Sequence, residues 1–188
     1  MNCAFVLFDG MTALDFIGFY DAVTRLKSMH FMDDFAWQTC AMSPCVSDDR
    51  GLRLTADVVG QSLAAYDMLF IPGGLATRQL QNEAACVTWL QSAQPVPLKV
   101  SVCTGALLLG AAGFLRGKRA TTHPNAFKEL ESYCAEVVDA RVVDSGNVIT
   151  ARGVSSSIDL GLYFVERLAG TAVRNKIAAQ MDYPYQWR

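Results

Sequence analysis

The segment Lys99–Gly110 contains a single cysteine between a strand-like run and a helix-like run. Its first residues include two valines, which favour a strand, and Gly105 is followed by alanine and leucines, which favour a helix. Cys103 therefore lies at a tight strand-to-helix turn, where one side chain projects clear of the sheet. Such turns belong to α/β architectures, in which Cys103 faces the positive end of a helix.

Two interpretations of Cys103 follow from this position. A thiol at a helix N-terminus has a lowered pKa, so the first interpretation is a reactive thiolate that acts as a nucleophile. The second is a small buried side chain beside the sheet, because free cysteine is among the most buried residue types. A short motif alone leaves both open.

Composition limits the class of protein. A chain of 188 residues predicts one domain, residues 1–188, with a single α/β core. Its 52% hydrophobic and 18% charged residues suit strands that are buried on both faces. The net charge of −2 without a basic cluster argues against nucleic acid as a partner, and no apolar run reaches the ~18 residues that span a membrane. The first residues predict a strand and not a secretion signal.

The cysteines and histidines suggest neither a disulfide framework nor a metal site. Six irregularly spaced cysteines, without a C-x-x-C pair and without a secretion signal, predict a reduced, cytoplasmic protein. His30 and His123 lie far apart in the sequence, and no zinc-binding spacing is present. We therefore expect no metal.

Strand-like and helix-like segments alternate along the chain, which predicts a mostly parallel sheet with helices on both faces. Hairpins are predicted within Cys45–Thr55 and around the turn at 144–147. The last seven residues form an aromatic tail. Strands are expected at about Cys3–Phe8, Phe35–Met42, Asp67–Ile71, Lys99–Val102, Arg119–Thr121, Val137–Val143 and Val148–Ala151. Helices are expected at about Leu14–Leu26, within Ala76–Ala93, from the cysteine turn to Ala112, and at about Asn125–Tyr133, Ser155–Ala169 and Ala172–Met181. The first helix is predicted to use Leu14, Ile17, Val23 and Leu26 as its apolar positions.

The carboxyl ends of parallel strands form the ligand-binding edge of such a sheet. The loop Asp9–Asp15, the glycine turn Pro72–Gly74, the cysteine turn Cys103–Gly105 and the segment Thr121–Pro124 all follow strands. We therefore predict a site where Cys103, a carboxylate and backbone amides of a glycine turn converge.

Asp15 is the carboxylate best placed for chemistry. It lies at the start of the first helix among apolar residues, and such surroundings favour the acid form, which could relay protons at neutral pH. The alternative is a helix N-cap, a position where aspartate is common. Asp9 and Asp21 are weaker candidates, and Asp9 precedes a glycine in a turn.

The glycine turn and the residue after the cysteine could supply hydrogen-bond donors. Gly73 and Gly74 allow a backbone N–H to approach a developing negative charge. The Thr104 amide is the second candidate donor, while its hydroxyl could bind substrate or cap the helix. His123 could be the base for the cysteine, or it could support a loop. The spacing alone does not decide between these roles.

Several segments together resemble the ThiJ/PfpI superfamily, a branch of the class I glutamine amidotransferase-like fold, over nearly the whole chain. Within it the chain is most similar to isonitrile (isocyanide) hydratase-like members. The same long block also occurs in AraC-type regulators. The segments that carry the resemblance are Leu14–Gly18, Ile71–Gly74, Ser101–His123 and Arg152–Asp159.

The resemblance implies a flavodoxin-like three-layer sandwich with a strained nucleophile elbow, a homodimer and no cofactor. By position, Cys103 becomes the nucleophile and Asp15 its acidic partner, where many relatives have glutamate. Gly74 and Thr104 become the backbone donors of an oxyanion site. Gly73 and the residues His123, Phe19, Gly153 and Ser155 would line or support the pocket.

Two departures from the family pattern bear on the substrate. Peptidase-like members have histidine directly after the cysteine, and this chain has Thr104, so a peptidase is not expected. In the hydratase-like pattern a proline follows the glycine of the Leu-Asp segment, and Phe19 replaces it here. A bulky aromatic ring at this point is expected to reshape the pocket.

Three functions remain open from the sequence. The first is hydration of an isonitrile to an N-substituted formamide. The second is a glyoxalase-like or deglycase-like reaction on a reactive aldehyde. The third is a non-enzymatic redox sensor or ligand-binding module, since an accessible low-pKa thiol oxidises readily. A small-molecule substrate is the expected partner in the first two.

Overall fold

The computed structural model describes residues 1–184, so the last four residues of the predicted aromatic tail lie outside the described residues. The helices are α1 (Ala13–Ser28), α2 (Thr77–Leu80), α3 (Ala84–Gln91), α4 (Gly105–Ala111), α5 (Phe127–Leu130), α6 (Ser156–Ala169) and α7 (Thr171–Gln180). The strands are β1 (Asn2–Val6), β2 (Ala36–Ala41), β3 (Cys45–Ser47), β4 (Arg53–Thr55), β5 (Val58–Val59), β6 (Met68–Ile71), β7 (Leu98–Val102), β8 (Arg119–Ala120), β9 (Glu136–Val137), β10 (Val142–Asp144) and β11 (Val148–Ala151).

Seven strands form the central sheet in the order β10-β11-β7-β6-β1-β2-β5. All neighbours are parallel except β10 and β11, which form an antiparallel hairpin at one edge. The chain runs outward from β1 to β2, then crosses back to β6 and continues to β7 and β11. The predicted mostly parallel α/β sheet of flavodoxin type is confirmed. Because β1 and β6 are neighbours, the carboxyl ends of β1, β6 and β7 lie side by side, where a ligand site is expected.

Each face of the sheet is covered by its own apolar cluster, because alternate residues of a strand point to opposite faces. On one face, Phe5 and Phe70 of the sheet pack against Phe19 of α1 and Phe164 of α6. On the other face, strand residues such as Leu69 pack against α3 and α4. The result is three layers, and α1 carries the predicted carboxylate on the face opposite α4.

In the first turns of α1 the buried residues differ from the predicted apolar positions. Leu14 and Ile17 are 46% and 40% exposed, whereas Phe16 and Phe19 are buried with Asp15. The first two turns are apolar on more than one side, so spacing alone does not select one stripe. Contact with α6 selects it, since Gly18 lies so close that a Cβ there would meet the Ser157 Oγ at 2.1 Å.

Other differences concern the segment between α4 and β11. The predicted strand Arg119–Thr121 pairs with β9 in a separate two-stranded ladder, and the predicted strand Val137–Val143 is divided between β9 and β10. The predicted helix Asn125–Tyr133 is a 3₁₀ turn followed by the short α5. Both predicted hairpins are present, as β3–β4 and β10–β11. Within residues 1–184, the helices lack the combination of length and hydropathy needed to cross a bilayer.

Candidate active site

Cys103 adopts the strained conformation that the strand-to-helix turn requires. Its φ is +55°, in the left-handed region that non-glycine residues rarely adopt. Three hydrogen bonds to the Cys103 backbone hold this conformation. Its N–H donates to the carbonyl oxygens of Ala151 and Arg152, with N–O distances of 3.0 and 2.7 Å. Its carbonyl oxygen accepts from the Thr122 hydroxyl at 2.8 Å. The end of β11 and the segment after β8 therefore fix the direction of the Cys103 side chain.

Gly105 explains how α4 approaches the sheet. A Cβ at Gly105 would lie 2.4 Å from the carbonyl oxygen of Ile71 and 2.7 Å from that of Pro72. Only glycine lets the first turn of α4 pack against the end of β6 at this distance. The cysteine turn and the glycine turn after β6 are consequently adjacent.

Asp15 is a buried acid and not the helix cap. Helix α1 begins at Ala13 with Thr12 as its N-cap, so the capping interpretation of Asp15 is wrong. The Asp15 side chain is fully buried, and its Oδ2 accepts the Gly73 N–H at 2.9 Å. Its Oδ1 is buried without a hydrogen-bond partner among the described residues. The backbone bond therefore engages Oδ2 and leaves Oδ1 without a backbone partner.

The thiol and the carboxyl perturb each other. Burial raises the pKa of Asp15 from the ordinary 3.8 to about 7, although the Gly73 N–H and the Cys103 thiol oppose this rise. Burial and the Asp15 charge raise the pKa of the Cys103 thiol to about 12, although the Thr104 amide and hydroxyl oppose it. The direction is opposite to that expected from the helix terminus, because loss of hydration outweighs a short helix's dipole.

The two groups are best described as one proton-sharing pair. A thiol beside a carboxylate and a thiolate beside a carboxylic acid contain the same number of protons. Moving the proton from Cys103 to Asp15 removes the charge that disfavours the thiolate. Asp15, with a pKa of about 7, is thus suited to take the thiol proton during attack and to donate it afterwards.

Gly73 leaves open the space between these groups. A Cβ at this position would lie 2.6 Å from the Thr104 nitrogen, 2.7 Å from the Asp15 Oδ2 and 2.7 Å from the Cys103 Cβ. These distances are below van der Waals contact, so the absence of a side chain keeps the acid, the thiol and the amide together. A reacting atom bound beside Cys103 would have the Asp15 carboxyl and the Thr104 amide as neighbours.

Gly74 and Thr104 are tied to each other. The Gly74 N–H donates to the Thr104 hydroxyl at 3.0 Å, and that hydroxyl lies 3.0 Å from the Gly74 carbonyl, to which it donates. The hydroxyl therefore does not cap α4, in which Thr104 is the N-cap without a side-chain cap bond. The Thr104 amide interacts with the Cys103 sulfur, which makes it the better placed of the two predicted donors.

His123 lies beside Gly153, and its side chain stabilises the turn that follows it. The His123 Nδ1 accepts the Asn125 N–H at 3.2 Å and caps the 3₁₀ turn. A Cβ at Gly153 would lie 2.9 Å from the His123 ring. These contacts favour the supporting role of His123 over the role of base, since Asp15 already faces the thiol.

The structure places Phe19 and Ser155 differently with respect to the solvent. Phe19 is fully buried and stacks on Phe70, with ring centroids 4.2 Å apart, so it belongs to the core beneath the site. Ser155 is exposed at the start of α6, and its hydroxyl accepts from Arg141 at 3.2 Å. Phe19 thus cannot narrow the pocket directly; it anchors the helix that carries Asp15.

Thr122 belongs to the site although its sequence alone gives it no role. The sequence places the segment Thr121–Pro124 near the site without distinguishing Thr122 within it. Its hydroxyl bond to the Cys103 carbonyl spans 19 positions. The sequence signal for it is a hydroxyl residue at a predicted strand end, directly before His123. In residues 1–184 no group of histidine, cysteine or acidic side chains is arranged to hold a metal ion.

Comparisons with known proteins identify the family of the chain. The profile of the DJ-1/PfpI family matches residues 1–167. The chain is 31% identical over 184 residues to an isonitrile hydratase from Pseudomonas putida, covering 97% of this chain and 78% of that protein. It is 33% identical over 89 residues to a deglycase from Pyrococcus horikoshii, covering 46% of this chain and 53% of that protein. A crystal structure of a ThiJ/PfpI family protein from Pseudomonas syringae superposes with a TM-score of 0.89, at 27% identity, over 99% of this chain and 76% of that one.

Proposed function

The chain belongs to the DJ-1/PfpI family, and from that membership and the Cys103–Asp15 pair we propose that it is a cofactor-free hydratase converting an isonitrile into an N-substituted formamide. The observation that carries the proposal is a buried acid with a pKa of about 7 beside a cysteine on a strained turn. Isonitrile carbon needs both a nucleophile and a proton at the same atom. The pair supplies them from one side of the substrate.

In the first step the Cys103 sulfur bonds to the terminal carbon of the isonitrile. Asp15 takes the thiol proton as the S–C bond forms, and then delivers a proton to that carbon. The product is a thioimidate in which carbon carries one hydrogen, one sulfur and a double bond to nitrogen. The Thr104 amide can stabilise the negative charge that develops during attack.

In the second step water attacks the thioimidate carbon. Asp15, as the carboxylate, takes a proton from that water and passes it to the nitrogen, which gives a tetrahedral carbon bearing sulfur, hydroxyl and the N–H group. The tetrahedral intermediate collapses, the C–S bond breaks, and Asp15 transfers the hydroxyl proton to the departing thiolate. The sum is isonitrile plus water giving an N-substituted formamide, with Cys103 and Asp15 returned to their starting states.

The direct test is turnover of a simple alkyl isonitrile followed by NMR. We expect the formamide proton to appear in proportion to enzyme and time. Absence of formamide at high enzyme concentration contradicts the isonitrile assignment and leaves the fold unaffected. Intact-protein mass spectrometry during turnover should detect the thioimidate as the mass of one isonitrile added to the protein.

A second candidate is a glyoxalase-like or deglycase-like reaction, which the similarity to the Pyrococcus deglycase supports. The same pair could add sulfur to the carbonyl carbon of an aldehyde and move protons through Asp15. Methylglyoxal assayed beside the isonitrile distinguishes the two, since the true substrate class should show the larger kcat/KM.

A redox-sensor role is less favoured, because burial raises the pKa of the Cys103 thiol and thiols react with peroxide mainly as thiolates.

We further propose that the protein acts as a homodimer in the cytoplasm. Leu14 and Ile17 lie one turn apart on α1, and each is about half exposed. All six cysteines, which lie within the described residues, are free, which supports a reducing compartment. Sedimentation of the wild type beside a Leu14→Glu variant tests the dimer, and a wild type that sediments as a monomer contradicts it.

The pH dependence of kcat/KM should follow the proton-sharing pair. With both groups protonated the pair lacks the base for attack, so we expect kcat/KM to fall about tenfold per pH unit below the Asp15 pKa of about 7. Above this pKa the profile should be flat up to strongly alkaline pH. A profile that is flat between pH 5 and 8, measured as initial formamide rates at low substrate, would show that no base with a pKa near 7 controls the reaction and would contradict the raised pKa of Asp15.

Gly73→Ala should remove activity by filling the site. The added methyl group would overlap the Asp15 carboxyl, the Thr104 nitrogen and Cys103, so we expect kcat/KM to fall at least about a hundredfold. The matched control is Gly117→Ala, since a Cβ there meets nothing within 4 Å and costs only backbone strain at φ +70°. We expect the control to lower the melting temperature and retain kcat/KM. Equal activity in both variants would show that the space at Gly73 is not used.

A further inference from the structure

A cavity of about 390 Å³ lies at the end of the sheet opposite to Cys103. Lys99, the second residue of β7, and Val148, the first residue of β11, form its base. Its walls are the segment Gln94–Pro97 before β7 and the loop Gly113–Lys118 after α4. The volume is within the range of small-molecule sites. The cavity is separate from the catalytic pair, because β7 runs from one to the other.

The charges around this cavity are of one sign. Lys99, Arg116 and Lys118 line it, and no aspartate or glutamate does. Within residues 1–184 none of these three cations forms an ion pair. The chain as a whole has a net charge of −2, so an uncompensated cluster of three cations is not a consequence of composition.

Lys99 is the most informative of the three. It is only 5% exposed, and its ammonium donates to the carbonyls of Gln94 and Val96 and lies 4.8 Å from the centre of the Phe114 ring. These contacts orient the ammonium without neutralising it. Burial and the charge of Lys118 lower the pKa of Lys99, so the two ammonium groups act on each other in the same space. An anion between them would relieve that repulsion.

The chemistry of the lining narrows the ligand. Two ammonium groups and a guanidinium match a dianion with several acceptor oxygens better than a single carboxylate. Pro95, Pro97 and Phe114 provide apolar surface beside the cations, which suits an organic group attached to the anion. We propose that this cavity binds a phosphate monoester, with the phosphoryl group held by Lys99, Lys118 and Arg116. The site is independent of the reaction proposed for Cys103.

Titration of the whole protein followed by backbone amide NMR tests this proposal, with inorganic phosphate and phenyl phosphate as probes at constant ionic strength. We expect saturable shifts of the amides of Gln94, Val96, Leu98 and Lys99 and of those at 113–118 and 147–148, and tighter binding of phenyl phosphate than of inorganic phosphate. Chloride at the same ionic strength should produce no saturable shift. No saturation with either probe overturns the proposal. Binding of inorganic phosphate with exclusion of phenyl phosphate overturns the monoester assignment.

Charge-removing variants then locate the site. Lys118→Gln and Arg116→Gln alter side chains that form no hydrogen bond or ion pair among the described residues, so the fold should be retained. Each should weaken phenyl phosphate binding about tenfold, as expected for loss of one charge-assisted contact. Lys128→Gln removes an exposed lysine of α5 that does not line the cavity, and it should leave binding unchanged. Equal loss in all three variants would show non-specific charge attraction and overturn the proposal.

Discussion

Cys103→Ala should lose at least about a thousandfold in turnover of the isonitrile while it keeps the fold. Sulfur forms the bond to substrate carbon in the proposed reaction, and alanine offers no replacement. The turn should persist, because its backbone bonds to Ala151, Arg152 and Thr122 do not involve the thiol. Formamide release measures the activity, and the melting temperature with the circular dichroism spectrum measures the fold.

Cys86→Ala is the matched control for this variant. Cys86 is also a buried cysteine whose pKa is raised by burial, to about 11, but it lies on α3, away from the elbow. We expect this control to retain full turnover and thioimidate formation. Residual activity of Cys103→Ala above about a tenth of wild type, with the control unaffected, would remove Cys103 from the nucleophile role.

Asp15→Asn should lower turnover at least about a hundredfold, which is the lower range for loss of a general acid–base group. Asparagine preserves the size of the side chain and can still accept the Gly73 N–H. It cannot take a proton from the thiol or deliver one to the isonitrile carbon. Because attack would then depend on the spontaneous thiolate, the remaining activity should rise with pH well above 7.

Asp21→Asn is the control on the same helix. Asp21 forms a partly exposed ion pair with Arg25 and does not contact the site, so activity should be unchanged. If Asp15→Asn retains wild-type turnover, the acid is elsewhere and His123 becomes the next candidate. Thiolate absorbance at ~240 nm, titrated in the variant, separates loss of the base from loss of the nucleophile.

The stability of Asp15→Asn should depend on pH in a defined direction. The folded wild type keeps the Asp15 proton up to about pH 7, whereas the unfolded chain loses it near 3.8. The folded state therefore binds more protons between these values, and wild-type stability falls as pH rises through this window. Asparagine does not titrate, so the variant's stability relative to wild type should increase from pH 4 to 7 and then level off, with a total change on the order of 1–4 kcal/mol. Denaturant unfolding at several pH values measures this change.

The strand-to-helix turn at Cys103 was predictable because its signal is local. Few backbone conformations connect a strand to a helix through one cysteine and one glycine. Cys103 adopts one of them, with φ of +55°. The alternation of strands and helices also sufficed for the parallel sheet, since hydrophobic periodicity reports burial on both faces. The convergence of the Asp15, Gly73 and Cys103 segments followed from the rule that strand ends share an edge.

The state and surroundings of the side chains depended on distant contacts. Which stripe of α1 is buried was decided by α6 at Gly18, and Phe19 therefore entered the core instead of the pocket. The Thr122 bond to the Cys103 carbonyl and the mutual bonds of Gly74 and Thr104 join residues 19 and 30 positions apart, which no local pattern reports.

The sequence by itself thus determined the architecture and the reactive position, because both depend on short-range propensity and on strand order. Only the tertiary structure decided the chemistry available there. Desolvation by the packed layers raises the pKa of both Asp15 and Cys103, against the direction that the helix terminus alone predicts for the thiol. Burial is a property of everything packed around a group, so it emerges only when the whole chain has folded.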